Sequence, residues 1–117
     1  GFIAAGTSPT GSTTIAVYVH GSLDDTPTYA DTLTGADANA ILNSSAIRDV
    51  GLATISSVFI DTTSNRKYPF RPTSIAAQFG QVPKYHGLWV VHNTGVNLNS
   101  TGGNHVLSYT PVYNTVT

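Results

Sequence analysis

Residues 13–20 read Thr13-Thr14-Ile15-Ala16-Val17-Tyr18-Val19-His20, and their alternation decides the fold class. Ile15, Val17 and Val19 share one face, and Thr14, Ala16, Tyr18 and His20 share the other. A period of two marks a strand with one buried face. The pattern recurs along the chain. Residues 53–60 (ATISSVFI) set Ile55, Ser57 and Phe59 against Ser56, Val58 and Ile60, apolar on both sides near the end. Residues 73–79 put Ile75, Ala77 and Phe79 on one face of a further expected strand. Residues 84–93 (KYHGLWVVHN) contain the uninterrupted apolar run Leu88, Trp89, Val90, Val91, which predicts a strand covered on both sides at the centre of a sheet. Residues 105–112 set Val106, Ser108 and Thr110 against Leu107 and Tyr109.

Turn chemistry separates these runs. GSLDDTP at 21–27 is a turn, and 28–33 a short strand after it. DTTSN at 61–65 predicts a hairpin, because Asp, Ser and Asn hydrogen-bond their own backbone. Residues 67–71 would be its return strand, held to a sheet edge or bulge by Pro69. Asn93-Thr94-Gly95 predicts a second hairpin with Val96 and Leu98 opening the partner strand. STGGN at 100–104 is a tight turn. Residues 34–43 are the one helical candidate, with Thr34 as cap, Asp37 in the first turn, and Ala36, Ala38, Ala40 and Ile41 following; a single loop-like turn is the equal alternative. About seven or eight strands with regular turns predict an all-β chain: a single antiparallel β-sandwich over residues 13–117, Ig-like or jelly-roll. Residues 1–12 (GFIAAGTSPTGS) read as an extended arm with an apolar tip at residues 2–5, or as a frayed end.

The composition narrows the function. The 117 residues are one domain's worth, and 9% are charged against roughly 25% in an average soluble protein. There is no Glu, Cys or Met; Thr supplies 17 residues, Ser 11, Asn 8 and Gly 11, and net charge is -1. With 40% hydrophobic residues and almost no net charge, the chain should fold rather than stay disordered. No cation cluster is present to neutralise phosphates, which argues against nucleic-acid binding. Disulfides and thiolate metal sites are excluded. No stretch approaches the roughly 18 apolar residues of a membrane span. The chain opens on Gly1 without Met, and a complete mature product with its initiator removed is one expectation, a processed start another. A surface of hydroxyls and amides has little long-range repulsion to keep copies apart, so it suits packing against other chains.

Catalytic patterns are weak. No G-x-S-x-G elbow occurs; the candidates for a carboxylate pair are Asp24, Asp25, Asp31 and Asp61, and Asp24 and Asp25 are adjacent in a turn that alone explains them. No enzyme activity and no cofactor are expected. Among the histidines, His86 and His92 share a strand face but lie about 20 Å apart along it, too far to hold one ion. His92 with His105 is a conceivable cross-strand pair if a hairpin joins their strands, yet solvated or interface histidines are the stronger expectation and no metal site is assigned. The loops at 21–26 and 61–65 carry oxygen ligands without matching an EF-hand. A sugar platform could be built from Trp89, Tyr85, Tyr18, Tyr109 and Tyr113, although Trp89, mid-strand in the most apolar run, is expected in the core. Asn43-Ser44-Ser45 and Asn99-Ser100-Thr101 fit the glycosylation acceptor pattern, as chance predicts in so Asn- and Thr-rich a chain.

The run at 83–112, PKYHGLWVVHNTGVNLNSTGGNHVLSYTPV, resembles the closing hairpins of small virion proteins from tailed bacteriophages: an aromatic strand, an N-x-T-G turn, an aliphatic residue and a last strand. With its apolar N-terminal segment and Thr/Asn-rich body, the chain is similar to capsid decoration, or cement, proteins. That resemblance implies a non-enzymatic structural role on the capsid surface of a virion. Its partners would be the major capsid protein and copies of itself in a homo-oligomer, without nucleic acid or membrane. It makes Phe2, Ile3, Tyr85, Tyr109 and Tyr113 the expected arm or subunit contacts. A carbohydrate- or receptor-binding module of the tail-fibre kind is the alternative.

Overall fold

The computed structural model describes residues 1–26, 28–29, 33–36, 38–41 and 52–111. Among them are six strands and one short helix: β1 (Phe2–Ala4), β2 (Thr13–Ser22), β3 (Ala53–Ile60), β4 (Lys67–Pro69), α1 (Ile75–Phe79), β5 (Tyr85–His92) and β6 (His105–Val106). The fold is all-β. One sheet has the order β4-β1-β6 and the other β3-β2-β5, and every pairing is antiparallel.

The two sheets pack their inner faces together. Alternation on β2 sends Ile15 and Val17 into a core with Ile3, Ala5, Ile60, Tyr68 and Phe70, while Ile55, Val58, Val90 and Leu98 pack against its margin. Burying an Ile or Val side chain stabilises by about 1.5–3 kcal/mol, so this stripe holds the sheets together. The sheets are open at their edges, a sandwich without closure.

β2 and not β5 is the central strand of its sheet, paired with β3 on one side and β5 on the other. The apolar run of β5 serves an edge. In β3 the period of two breaks: Val17 pairs with Ser56 but Tyr18 with Thr54, leaving Ile55 as a bulge. The bulge brings Ile55 to the same core as Val58 and Ile60 and separates it from Phe59, which faces out opposite Thr14.

The expected arm is part of the fold. β1 lies between β4 and β6, with Ile3 opposite both Tyr68 and His105. Ile3, Ala4 and Ala5 are buried, and the Phe2 ring lies under the Lys67 ammonium, 4.8 Å away. Three residues are too few to show a period, so strand and arm look alike in sequence. β4 does follow 61–65 and does sit at an edge, as Pro69 requires.

Neither expected hairpin forms. β3 and β4 belong to different sheets, so 61–66 crosses between them, and β5 is followed by β6 of the other sheet. Val96 and Leu98 belong to no strand. Residues 75–79 form α1 rather than a strand, because the Ser74 side chain accepts the Ala77 N–H at 3.2 Å and Gly80 closes the turn at φ 73°. The described residues of 34–41 are not helical; Thr34 Oγ1 accepts the Ala36 N–H at 3.4 Å in a local turn. Residues 28, 29 and 33 are not in a strand, and beyond Val106 the described chain to Pro111 is not either. Residues 30–32, 37, 42–45 and 112, with Tyr113, lie outside the described residues.

Candidate functional site: a cleft along the edge of β5

The register of β2 against β5 positions the site. Tyr18 faces Trp89, His20 faces Gly87, and Ser22 faces Tyr85, all on the side turned away from the core. Gly87 offers no side chain opposite His20, and the His20 ring packs on Tyr29 at 5.2 Å between centroids. Tyr29 begins a wall that continues through Leu33–Ala36 and Ala38–Ala40. Between that wall and β5 lies a cleft of about 1240 Å³.

Side chains from both faces of β5 line it: Leu88 and Val90 from one, Trp89 and Val91 from the other. The cleft therefore wraps the β5 edge and reaches over the outward face at Gly87 to His20 of β2. Its described lining carries no Asp, Lys or Arg; the titratable groups are His20, His86, His92 and the phenol of Tyr29. A charged ligand would find no counter-charge among them, whereas hydrogen-bonding groups are plentiful in Thr34, Asn39, Asn97 and the histidines. Burial pushes the His92 imidazole below its ordinary value.

Trp89 is half-buried on the outward face and absent from the core cluster, contrary to the expectation from its apolar neighbours. The face it occupies is set by pairing with Tyr18, not by local hydrophobicity. Its indole N–H is buried and has no hydrogen-bond partner among the described residues.

The other expected contact residues divide between the sheets. Tyr85, 43% exposed, starts β5, with the Lys84 ammonium 6.0 Å from its ring centroid; Lys84 in turn pairs with Asp25. Tyr109, 75% exposed, sets its ring edge-on to His86 at 5.8 Å, so these two tyrosines lie at one end of β5. Phe2 and Ile3 are in the other sheet, and Ile3, at 2% exposure, has no surface to offer. Tyr113 lies outside the described residues.

His92 and His105 are not joined by a hairpin. His105 is a structural residue of the first sheet: Nε2 donates to the Asn99 carbonyl at 2.6 Å, and Nδ1 accepts the Ala4 N–H at 3.4 Å. Among the described residues no three His, Asp, Glu or Cys gather as a metal would need. His20, Tyr29 and the wall of residues 33–36 and 38–40 are the parts of the cleft that sequence reasoning missed, since only tertiary folding brings that wall to β5.

No protein-family model matches the chain, and no curated protein or solved structure shows a significant likeness to it.

Proposed function

We propose that this chain is a structural, non-enzymatic protein of the capsid-decorating kind, acting on the virion surface through contacts with the major capsid protein and with copies of itself. The observation that supports this reading is the apolar surface: Phe59 is 78% exposed, Val82 76% and Tyr109 75%, in a chain with only 9% charged residues. Covering one such side chain in an interface is worth about 1.5–3 kcal/mol, and few charges oppose the approach of a second chain. Ile3 is too buried to offer contact surface, while Phe2, Tyr85 and Tyr109 stay exposed enough to contribute to it.

Light scattering behind size exclusion, over a wide concentration range, tests it. A trimer or larger ring is expected, weakened in Phe59→Ser without loss of folding. A strict monomer at every concentration would overturn the reading.

A second reading, a carbohydrate-binding module, draws on the cleft, where Trp89 and Tyr29 accompany Thr34 and Asn39. Its test is the emission of Trp89 on titration with glycans. Emission insensitive to every sugar would remove it.

A further inference from the structure

A strand that two neighbours share as their link can be supplied by any chain that carries its sequence. β1 is such a strand. β4 and β6 each pair with it and, among the described residues, not with each other. Its partners lie far along the chain: Ile3 stands opposite Tyr68 on one side and His105 on the other. Backbone bonds tie the same segment at both ends. The Phe70 N–H donates to the Gly1 carbonyl at 2.9 Å, and the Ala5 N–H donates to the Arg66 carbonyl at 3.0 Å. All of these contacts reach residues 66–105, so none depends on which copy of the chain supplies β1.

The linker at 7–12 decides whose sheet β1 enters, and that linker is strained. Ser8 and Ser12 have φ of 55° and 60°, in the left-handed region that a residue with a Cβ enters at a cost. Ser8 also precedes Pro9, and a proline pushes the residue before it toward extended conformations. Ser12 leads straight into Thr13 of β2. With both serines extended, the linker continues the line of β2 away from its own first sheet, and six extended residues reach about 20 Å. The closed linker is held by the Ser8 N–H on Ser64 Oγ at 2.8 Å, the Thr10 N–H on the Thr94 carbonyl at 2.9 Å and the burial of Pro9. Opening gives up these contacts and releases strain of the same order. Short hinges under strain favour exchange between copies for this reason.

We infer that the strained linker opens between copies of this chain, so that β1 of one copy fills the place between β4 and β6 of a neighbour and the oligomer is interlocked by strand insertion. This deepens the assembly reading above and rests on it, since it names the contact that joins the copies. Ile3, which has no free surface in a single copy, becomes a buried contact between copies. With 9% charged residues and a net charge of -1, little repulsion opposes their approach.

The test uses engineered cysteines, since the chain has none of its own. Phe2 and Val106 stand opposite each other across β1 and β6, within reach of a disulfide. Phe2→Cys and Val106→Cys are made as separate full-length variants, co-expressed, and oxidised after size exclusion. Expected in the oligomer fraction is a disulfide joining the two variants. It is read on a non-reducing gel as a band of doubled mass, about tenfold or more stronger than either variant gives alone. Ala4→Cys with Lys67→Cys, opposite each other across β1 and β4, repeats the measurement should the first pair fail to fold. Ser8→Gly with Ser12→Gly relieves the linker without touching β1 and should raise the concentration at which oligomers form by about tenfold or more. Three results would each overturn the inference: oligomers whose two variants do not cross-link; cross-links as strong in either variant alone, which mean chance collision; or an oligomer threshold that the glycine variant leaves unmoved. In all three the oligomers remain, and the assembly reading with them. A strict monomer at every concentration removes both.

Discussion

The Tyr68 hydroxyl donates to Oδ1 of Asp61 at 2.8 Å and accepts the Asp61 backbone N–H at 3.1 Å. Asp61 follows the last residue of β3 and Tyr68 lies in β4, so this reciprocal pair clasps one sheet to the other. The Thr63 N–H donates to the same carboxylate oxygen at 2.9 Å, and Arg66 pairs with its other oxygen. Tyr68→Phe keeps the buried ring and removes both hydroxyl contacts. It should lower stability by about 1 kcal/mol, read in urea unfolding as an earlier midpoint with unchanged slope. An unshifted midpoint would show that the clasp contributes nothing.

The same clasp predicts acid behaviour. The Thr63 N–H first, then the Tyr68 hydroxyl, hold the Asp61 carboxyl at about 2, below its ordinary 3.8. The folded value lies below the unfolded one, so the stabilisation is whole above 3.8 and is lost as pH falls through about 2. The thermal midpoint should drop across that interval. Asp61→Asn has the shape without the charge and should flatten the drop; parallel curves for parent and variant would refute the assignment.

β1 holds the first sheet together, because β4 and β6 each pair with it and not with each other. Ile3→Ala, at 2% exposure, should cost about 3 kcal/mol. Removing residues 1–12 takes away the middle strand, and the cooperative thermal transition seen by circular dichroism should disappear. A truncated chain that melts as sharply and as high as the parent would return residues 1–12 to the status of an arm.

The contrast between β1 and β2 shows what was legible. β2 is readable because one face meets the core and the other is only partly covered, so its alternation survives in ten residues. β1 has three residues and no period. Strand partners are less legible still: Asp61 and Asn93 build the same local turns whether the chain reverses beside itself or crosses to the other sheet, and here it crosses. At 73–80, alternation of Ile75, Ala77 and Phe79 competes with a Ser74 cap and a Gly80 stop, and the cap and stop win over five residues. Trp89 and the cleft could not be placed from sequence, since a wall some fifty residues upstream creates the site.

Gly6 and Gly87 should respond oppositely to alanine. A Cβ on Gly6 would overlap the carbonyl oxygen of Asn97, a backbone atom that cannot swing aside. Gly6→Ala should therefore cost about 1–3 kcal/mol. A Cβ on Gly87 meets nothing within 4 Å, and Gly87→Ala should be neutral or slightly stabilising through the unfolded chain. Urea midpoints of the two variants decide it, and equal shifts would contradict the packing.

Thr94 is fully buried, donating from Oγ1 to the Val96 carbonyl at 2.8 Å and lying 3.0 Å from Nδ1 of His92. Because its hydrogen is spent on Val96, Oγ1 is left to accept, and Nδ1 of His92 carries the proton between them. Thr94→Val takes a partner from the half-buried Val96 carbonyl and from the exposed His92 ring, and should cost about 1 kcal/mol. Burial also sets a pH dependence, since it disfavours the charged imidazole and puts the folded value below the ordinary 6.5. As pH falls below 6.5 the unfolded chain takes a proton that the folded chain still refuses, so stability declines until the lowered folded value is passed, and is whole again only above 6.5. The thermal midpoint of the parent should fall on mild acidification, and His92→Gln should lose that part of the slope. An identical slope in parent and variant would mean that His92 is as freely protonated in the folded chain as in the unfolded one.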